Sequence, residues 1–397
     1  MYKYAFSAAL CCVSLSAVAA SNQFNPAISL ILEGQYAAYD QDPENYELPG
    51  FMLGGESELV PEGFAMGHNE LVLDANIDDR YYGKFTLAFA EHEGEMVTEV
   101  EEAYVETLGL PAGLSVRAGR FYSGIGYLNS HHRHAWDFSD APLVYRGMLG
   151  GQVIDDGVQL RWLAPTPLFL QLGVEKTRGE RFPAGGAAND GSGASAAFIK
   201  LGGDLGTSHS WQLGLSRWQA EVIDRDSGAH AHGGATEVPS FSGDSDISGI
   251  DFVWKWAPDG NPTQRNFKFQ AEYFERDEDG TVVLEGSDPL ETTTYQGEQS
   301  GWYMQGVYQF MPRWRVGLRH DRLRADNRGV DADVLAEAGL DDERHTPRRS
   351  SVMVDYSHSE YSRIQLQYNQ DDSSSVADDQ VFLYYVMSLG AHGAHRF

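Results

Sequence analysis

Residues 250–256 read IDFVWKW, and this segment carries the pattern that decides the fold. Its apolar side chains occupy alternate positions, with an aspartate and a lysine between them. A β-strand turns successive side chains to opposite faces, so one face of this segment is apolar and the other is mostly polar. The same alternation recurs at 158–162, 267–273 and 364–369. The chain is therefore predicted to be all-β.

The lengths of the connections between strands distinguish a membrane barrel from a soluble β-sandwich. Seven short turns are predicted, at 78–79, 110–113, 164–167, 206–208, 257–263, 311–313 and 358–360. They alternate with eight longer polar stretches, at 40–66, 91–98, 123–156, 177–195, 223–246, 276–299, 324–347 and 370–379. Outer-membrane barrels join their strands by tight periplasmic turns and longer extracellular loops. The pattern thus predicts a sixteen-stranded antiparallel transmembrane β-barrel with both termini on the periplasmic side.

The N-terminus has the parts of a cleaved secretory signal. Lys3 is followed by an apolar run and then by small residues near position 20. We therefore predict a signal peptide at 1–20 and a transmembrane barrel at 21–397. Both cysteines, Cys11 and Cys12, fall inside the signal, and no apolar run reaches the roughly 18 residues that a membrane helix requires. The expected location is the outer membrane of a Gram-negative bacterium.

The chain ends on an aromatic residue, Phe397, which follows a strand-like segment in which Val381, Leu383 and Tyr385 are in phase. A terminal aromatic on the last strand is a familiar mark of proteins inserted by the barrel assembly machinery, so Phe397 is predicted to be an assembly signal. The other expected partners are outer-membrane lipid and lipopolysaccharide. A nucleic-acid partner is not expected.

The formal net charge is −29, and the excess of carboxylates lies almost entirely in the predicted loops. An acidic mouth would concentrate cations, which predicts a mild cation preference. The alternative is that these carboxylates only bind the divalent ions that bridge lipopolysaccharide, or keep the loops solvated. Strand parity predicts a lumen of mixed charge, with these pore-lining residues: Lys84, Arg117, Arg161, Lys255, Lys268, Arg315, Arg319, Glu70, Asp74, Glu102, Asp251, Glu272, Asp321 and Asp355.

Five histidines in two loops are candidate metal ligands: His131, His132, His134, His230 and His232. Imidazole nitrogen with a nearby carboxylate can hold Zn²⁺. The alternative is that they are ordinary residues of a solvated loop, and Arg133 within the cluster would repel a cation. Ca²⁺ at acidic loop segments such as 277–280 is a weaker candidate, because the spacing there does not match an EF-hand.

The stretch 115–163 contains VRAGRFYSGIGYLNS, APLVYRGMLGG and DDGVQLRWL, and it resembles the corresponding part of phosphate-selective porin O/P-type proteins. The opening FNPAISLILEGQYAAY also resembles a group of outer-membrane proteins often labelled zinc-regulated TonB-dependent receptors. The resemblance implies a sixteen-stranded barrel, a homotrimer, and a third long loop folded into the pore. We expect a channel rather than a receptor, because the first predicted strand begins too soon after the signal to leave room for a plug domain.

The function predicted from the sequence is therefore a porin-like channel for passive diffusion of small hydrophilic solutes or ions. The first alternative is a specific metal-uptake or metal-binding protein that uses the histidines above. The second is a non-transport surface or adhesion barrel. Enzymatic activity is not expected, because the sequence contains no serine elbow, zinc-protease helix or phosphate-binding glycine loop.

Overall fold

The structure is a computed structural model that describes residues 26–92, 95–185, 191–227, 230–232 and 235–391, with side chains described outside 91–95 and 228–236. The predicted signal peptide and Phe397 lie outside the described residues, and both stay predictions. The barrel strands of the described chain are β1 Ala27–Ala38, β2 Asn69–Asn76, β3 Tyr81–His92, β4 Glu95–Thr107, β5 Leu114–Tyr122, β6 Ile154–Leu163, β7 Phe169–Thr177, β8 Ala194–Leu205, β9 His209–Asp226, β10 Ala235–Trp256, β11 Asn266–Glu285, β12 Glu291–Met311, β13 Trp314–Arg328, β14 Arg348–Ser359, β15 Ser362–Asp372 and β16 Asp378–Gly390.

The sheet closes on itself. Each strand pairs antiparallel with the next, and β16 pairs with β1 from Ser29 opposite Gly390 to Ala38 opposite Val381. Two short additional strands, Gly63–Met66 and His230–His232, pair with β1 and with the start of β10. In the described part of the chain, closure leaves no unpaired strand edge in the wall. A bilayer requires this, because lipid cannot hydrogen-bond to backbone groups. The predicted sixteen-stranded antiparallel β-barrel is confirmed.

The outer face of the wall is apolar, and the inner face carries most of the polar wall side chains. Leu318 and Val158 expose 67% and 50% of their surface on the outside. On the inside, Gln270 and Gln365 are fully buried. An apolar surface that would aggregate in water is stable when it faces lipid, so the exposed apolar residues mark the membrane-facing band.

All seven predicted short turns connect consecutive strands, but several predicted long loops prove to be strand. The stretch 91–98 is nearly all β3 and β4, and most of 223–246 and 276–299 belongs to β9–β12. The strands β9 to β12 have 18 to 22 residues each, whereas a strand needs about 9–11 residues to cross the membrane. At their outer ends the outward face is polar, while inward residues such as Phe241, Val282 and Leu284 are buried in an apolar core. The apolar-out, polar-in alternation of a membrane strand is therefore lost although the backbone ladder continues.

Two long connections fold into the barrel and form an apolar core there. We call them loop L1 (39–68) and loop L3 (123–153). L3 contains a short helix, α1 Leu143–Leu149, whose residues are all buried. Tyr145 of α1 packs edge-on against Phe274 of β11 and Tyr303 of β12, and Phe51 of L1 belongs to the same core. Each large apolar side chain buried here contributes roughly 1.5–3 kcal/mol.

A second helix, α2 Ala332–Glu337, lies in the connection between β13 and β14. No helix in the described part of the chain is long and apolar enough to cross a membrane.

Candidate functional site

Loop L3 crosses the lumen and is held by the wall on its far side. The backbone N–H groups of Tyr127 and Leu128 donate to the two carboxylate oxygens of Glu272 on β11, at 2.8 and 2.9 Å. The N–H of Leu143 donates to Asp321 on β13 at 3.0 Å. These carboxylates accept the N–H groups that an irregular loop leaves without backbone partners, so the path of L3 is determined by wall residues.

Ion pairs anchor the middle of L3. Asp140 lies between Arg319 of β13 and Arg349 of β14, at 2.6 and 2.9 Å. Asp137 contacts Lys268 of β11 at 2.5 Å and Arg315 of β13 at 3.0 Å. Both aspartates are buried. The positive charges of this wall are thus largely neutralised by the loop and are not free to attract anions.

On the opposite side of the lumen, L3 meets a cluster of histidines and glutamates. His132 and His134 of L3 approach Glu70 of β2, and His132 also contacts Glu102 of β4 at 2.8 Å. His68, at the end of L1, contacts Glu101 of β4 at 2.6 Å. We call the set His68, Glu70, Glu101, Glu102, His132 and His134 the His–Glu cluster.

A β-bulge explains how β4 turns two consecutive glutamates inward. Thr86 of β3 pairs with Glu102, but the next residue, Leu87, pairs with Val100. Glu101 is the extra residue of the bulge, so both it and Glu102 are buried on the inside of the barrel. Strand parity alone predicts Glu102 inside and Glu101 outside, and this is why the sequence analysis missed Glu101.

The structure places the five predicted metal ligands in different surroundings. His132 and His134 are in the His–Glu cluster. His131 is not, because its Nδ1 lies 2.8 Å from the carbonyl oxygen of Tyr127, to which it donates, and burial lowers the pKa of its imidazole to about 4. The side chains of His230 and His232 lie outside the described residues. His68 was missed, although it is in phase with Glu70 and the pattern could have found it.

Strand register places all fourteen predicted pore-lining residues on the inner face, where L3 lies. More than half of them bond to L3 directly: Lys84, Glu70, Glu102, Lys268, Glu272, Arg315, Arg319 and Asp321. Of the remaining residues, Arg117 and Arg161 both pair with Glu106, and Asp355 pairs with Arg315. Many of these charges therefore hold the loop or one another. Whether they line a conducting path stays a prediction.

A cavity of about 650 Å³ opens on the side of the long connections and reaches the His–Glu cluster. Glu101 lies in its wall together with Arg120 of β5 and Gln152 of L3. We call this cavity the vestibule. Six of its lining residues are acidic and three are arginines: Glu56, Glu99, Glu101, Glu180, Asp224 and Asp226 against Arg120, Arg181 and Arg225.

Comparison with solved structures defines the class of fold. The chain is similar to OprB of Pseudomonas putida (TM-score 0.55, 14% identity, 92% of this chain and 95% of that one) and to the outer membrane channel DcaP of Acinetobacter baumannii (TM-score 0.54, 15% identity, 92% and 97%). It is also similar to the trimer form of OmpT, an outer membrane protein of Vibrio cholerae (TM-score 0.55, 9% identity, 92% and 99%). The fold is that of the outer-membrane porins.

The chain belongs to the same family as an uncharacterized protein of Aquifex aeolicus, to which it is 30% identical over 407 residues, covering 94% of this chain and 80% of that protein. No protein-family profile matches the chain. A specific relationship to the O/P-type porins is therefore not supported beyond the general porin fold.

Proposed function

We propose that this protein is an outer-membrane porin-like channel, not an enzyme, that passes small hydrophilic solutes or ions by diffusion. The observation that carries the proposal is the polar part of the inner face of the barrel, where charged and amide side chains lie beside the apolar core that L1 and L3 form. A polar lumen inside an apolar exterior is the arrangement of water-filled outer-membrane barrels.

L3 determines where solutes would pass. Its helix α1 packs with apolar contacts against β11 to β13, so that side of the lumen is filled. The vestibule is lined from β4, β5 and the outer end of β9. The proposed path therefore descends from the vestibule past the His–Glu cluster, and its constriction lies where L3 contacts the β2–β4 wall.

The charge of the vestibule supports a mild cation preference. Its carboxylates outnumber its arginines, and the wall arginines Arg315 and Arg319 further in are already paired with carboxylates. A low-dielectric cleft with an excess of one sign of charge raises the local concentration of the opposite ion. We propose that the vestibule concentrates cations before they reach the constriction.

The proposed setting is the outer membrane of a Gram-negative bacterium, reached through the barrel assembly machinery, with lipid and lipopolysaccharide around the apolar band. A homotrimer is part of the proposal. It is supported by the trimer form of OmpT among the structural neighbours.

Planar-bilayer recording tests both the channel and its preference. Purified protein should produce discrete conductance steps, and the reversal potential in a KCl gradient should favour K⁺ over Cl⁻. The preference should be greatest at low salt and fade near 1 M, where the Debye length is about 3 Å. Absence of steps would refute the channel. A preference for Cl⁻ at low salt would refute the role assigned to the vestibule.

A second candidate function, uptake of a divalent metal ion, is favoured by the position of the His–Glu cluster where the vestibule ends. Zn²⁺ entry into liposomes carrying a Zn²⁺-sensitive dye, compared with entry of Mg²⁺, measures it. A general channel would admit both ions at similar rates, whereas a selective one would admit Zn²⁺ faster at micromolar concentrations.

A further inference from the structure

The His–Glu cluster contains buried ligand atoms that come together without making hydrogen bonds. Glu70 Oε2, Glu101 Oε2 and His132 Nδ1 have no hydrogen-bond partner among the described residues. Nevertheless His132 Nδ1 lies 2.9 Å from Glu70 Oε2 and 3.6 Å from Glu101 Oε2. The side chains of Glu70 and Glu101 are 1% and 4% exposed. Each buried polar atom left without a partner costs about 1–3 kcal/mol, so three of them at one point require an explanation.

The spacing of these atoms fits a metal ion. Zn²⁺ binds nitrogen and carboxylate oxygen at about 2.0–2.2 Å, and two ligands at a tetrahedral angle are then roughly 3.3–3.5 Å apart. The two separations measured from His132 Nδ1 fall on either side of this range. Glu70 and Glu101 also offer ligand oxygens within 4.8 Å of each other. The three side chains can therefore surround a point that an ion would occupy.

The other polar atoms of the same side chains are held by neighbours. Glu70 Oε1 lies 2.8 Å from His134 Nδ1, and Glu101 Oε1 lies 2.6 Å from His68 Nε2. His132 Nε2 lies 2.8 Å from Glu102 Oε2. Carboxylate–histidine pairs of this kind orient the first ligands of metal sites and fix their tautomers.

We propose that Glu70, Glu101 and His132 bind one divalent transition-metal ion of the Zn²⁺ class, with His68, His134 and Glu102 orienting these three ligands. The mixture of one imidazole nitrogen and two carboxylate oxygens favours Zn²⁺ over the oxygen-only coordination of Mg²⁺ and Ca²⁺. Three protein ligands leave a fourth position, as in zinc sites that exchange a ligand. Glu101 lines the vestibule, so the ion reaches the site from outside.

The charge around the site also favours a cation. Glu70, Glu101 and Glu102 come together here, and Lys84 is the lysine that pairs with them, at 2.5 Å from Glu102. In the absence of metal, a proton on His132 supplies the missing positive charge. Burial by itself would lower the pKa of His132, but Glu70 and the two β4 glutamates raise it well above its ordinary value. An ion pair with no metal is therefore the competing explanation.

The bulge at Glu101 indicates that the cluster is a specific feature of the fold and not a chance grouping of charges. It interrupts the ladder between β3 and β4 in order to turn one more carboxylate inward. L3 supplies His132 from the other side, so the ion would join the loop to the wall at this point. The ion would thus help to fix the width of the constriction.

Equilibrium dialysis of the purified protein in detergent against Zn²⁺, with millimolar Mg²⁺ present, tests the site. We expect about one Zn²⁺ per chain at micromolar concentration. The variants Glu101→Gln and His132→Ala should bind roughly 100-fold more weakly, since each removes a ligand. His131→Ala is the matched control, because it removes the adjacent imidazole, which lies outside the cluster, and it should bind like the wild type.

Heat-modifiable migration on gels verifies the folding of each variant. If His132→Ala does not fold, Zn²⁺ binding is compared between the wild type and Glu101→Gln, because this substitution keeps the size of the side chain. No Zn²⁺ bound to wild type, binding abolished by Mg²⁺, or equal binding by wild type and Glu101→Gln would each overturn the site and leave the ion pair as the explanation. This result is independent of the channel, because a protein that conducts without binding Zn²⁺ refutes only the site, and one that binds without conducting refutes only the channel.

Discussion

Replacing Asp140 by asparagine tests whether ion pairs hold L3 in the lumen. Asp140 is 8% exposed and contacts Arg319 at 2.6 Å and Arg349 at 2.9 Å. Asparagine keeps the size of the side chain but removes the charge. Breaking a buried ion pair costs about 3–5 kcal/mol, because the remaining charge is left without compensation. Asp321 still lies 3.0 Å from Arg319 and partly compensates its charge. We therefore expect a cost at the lower end of this range, about 3 kcal/mol.

A loss of about 3 kcal/mol raises the undocked fraction of L3 by roughly two orders of magnitude. The variant should show more frequent high-conductance openings in planar bilayers, and trypsin should cut L3 faster at Arg133 and Arg146. Asp246→Asn is the control. Asp246 pairs with Arg217 on the outer surface, where such a pair contributes about 0–1 kcal/mol. If Asp140→Asn and Asp246→Asn show the same frequency of high-conductance openings and the same rate of trypsin cleavage, the anchoring role of Asp140 is refuted.

Two further predictions concern assembly and the wall. Deleting Phe397 should slow insertion into the outer membrane while leaving the conductance of inserted channels unchanged. Pulse-chase fractionation with heat-modifiable gels measures the rate of insertion. Normal insertion kinetics would contradict the prediction. Gly119→Ala should lower the midpoint of unfolding in denaturant, because φ is +125° there and an added Cβ would lie 2.1 Å from the carbonyl oxygen of Ala103. The control is Gly34→Ala, whose Cβ would meet no atom of the described residues within 4 Å, and equal midpoints would rule out this steric explanation.

The wall of the barrel could be predicted because a lipid-facing strand imposes a strict pattern on the sequence. Apolar alternation in segments such as 250–256 and 364–369 predicted which side chains point inward, and the alternation of short turns with longer stretches predicted the number of strands. Where water replaces lipid the pattern is lost, and this is why 276–299 was predicted as loop although it belongs mostly to β11 and β12. The predicted turns were right because short connections between strands do not depend on that contrast.

The candidate site could be predicted only in part. His132 and His134 stand out as histidines in the sequence, and Glu70 follows from the parity of β2. Glu101 could not be found in this way, because a bulge reverses the parity of one residue and the sequence does not mark it. The partners of L3 were also inaccessible, since Asp140 meets Arg349 only after the loop has crossed the lumen.

The anchors of L3 also constrain the order in which the molecule can fold. The bond from Leu143 to Asp321 spans 178 residues of chain, and the bond from Ser139 to Gln367 spans 228. These partners lie in β13 and β15, so L3 cannot settle until the C-terminal third of the chain is in place. Until then the apolar side chains of α1 are exposed to solvent. An unfolded chain therefore exposes the apolar residues 143–149 to aggregation until the last strands have paired.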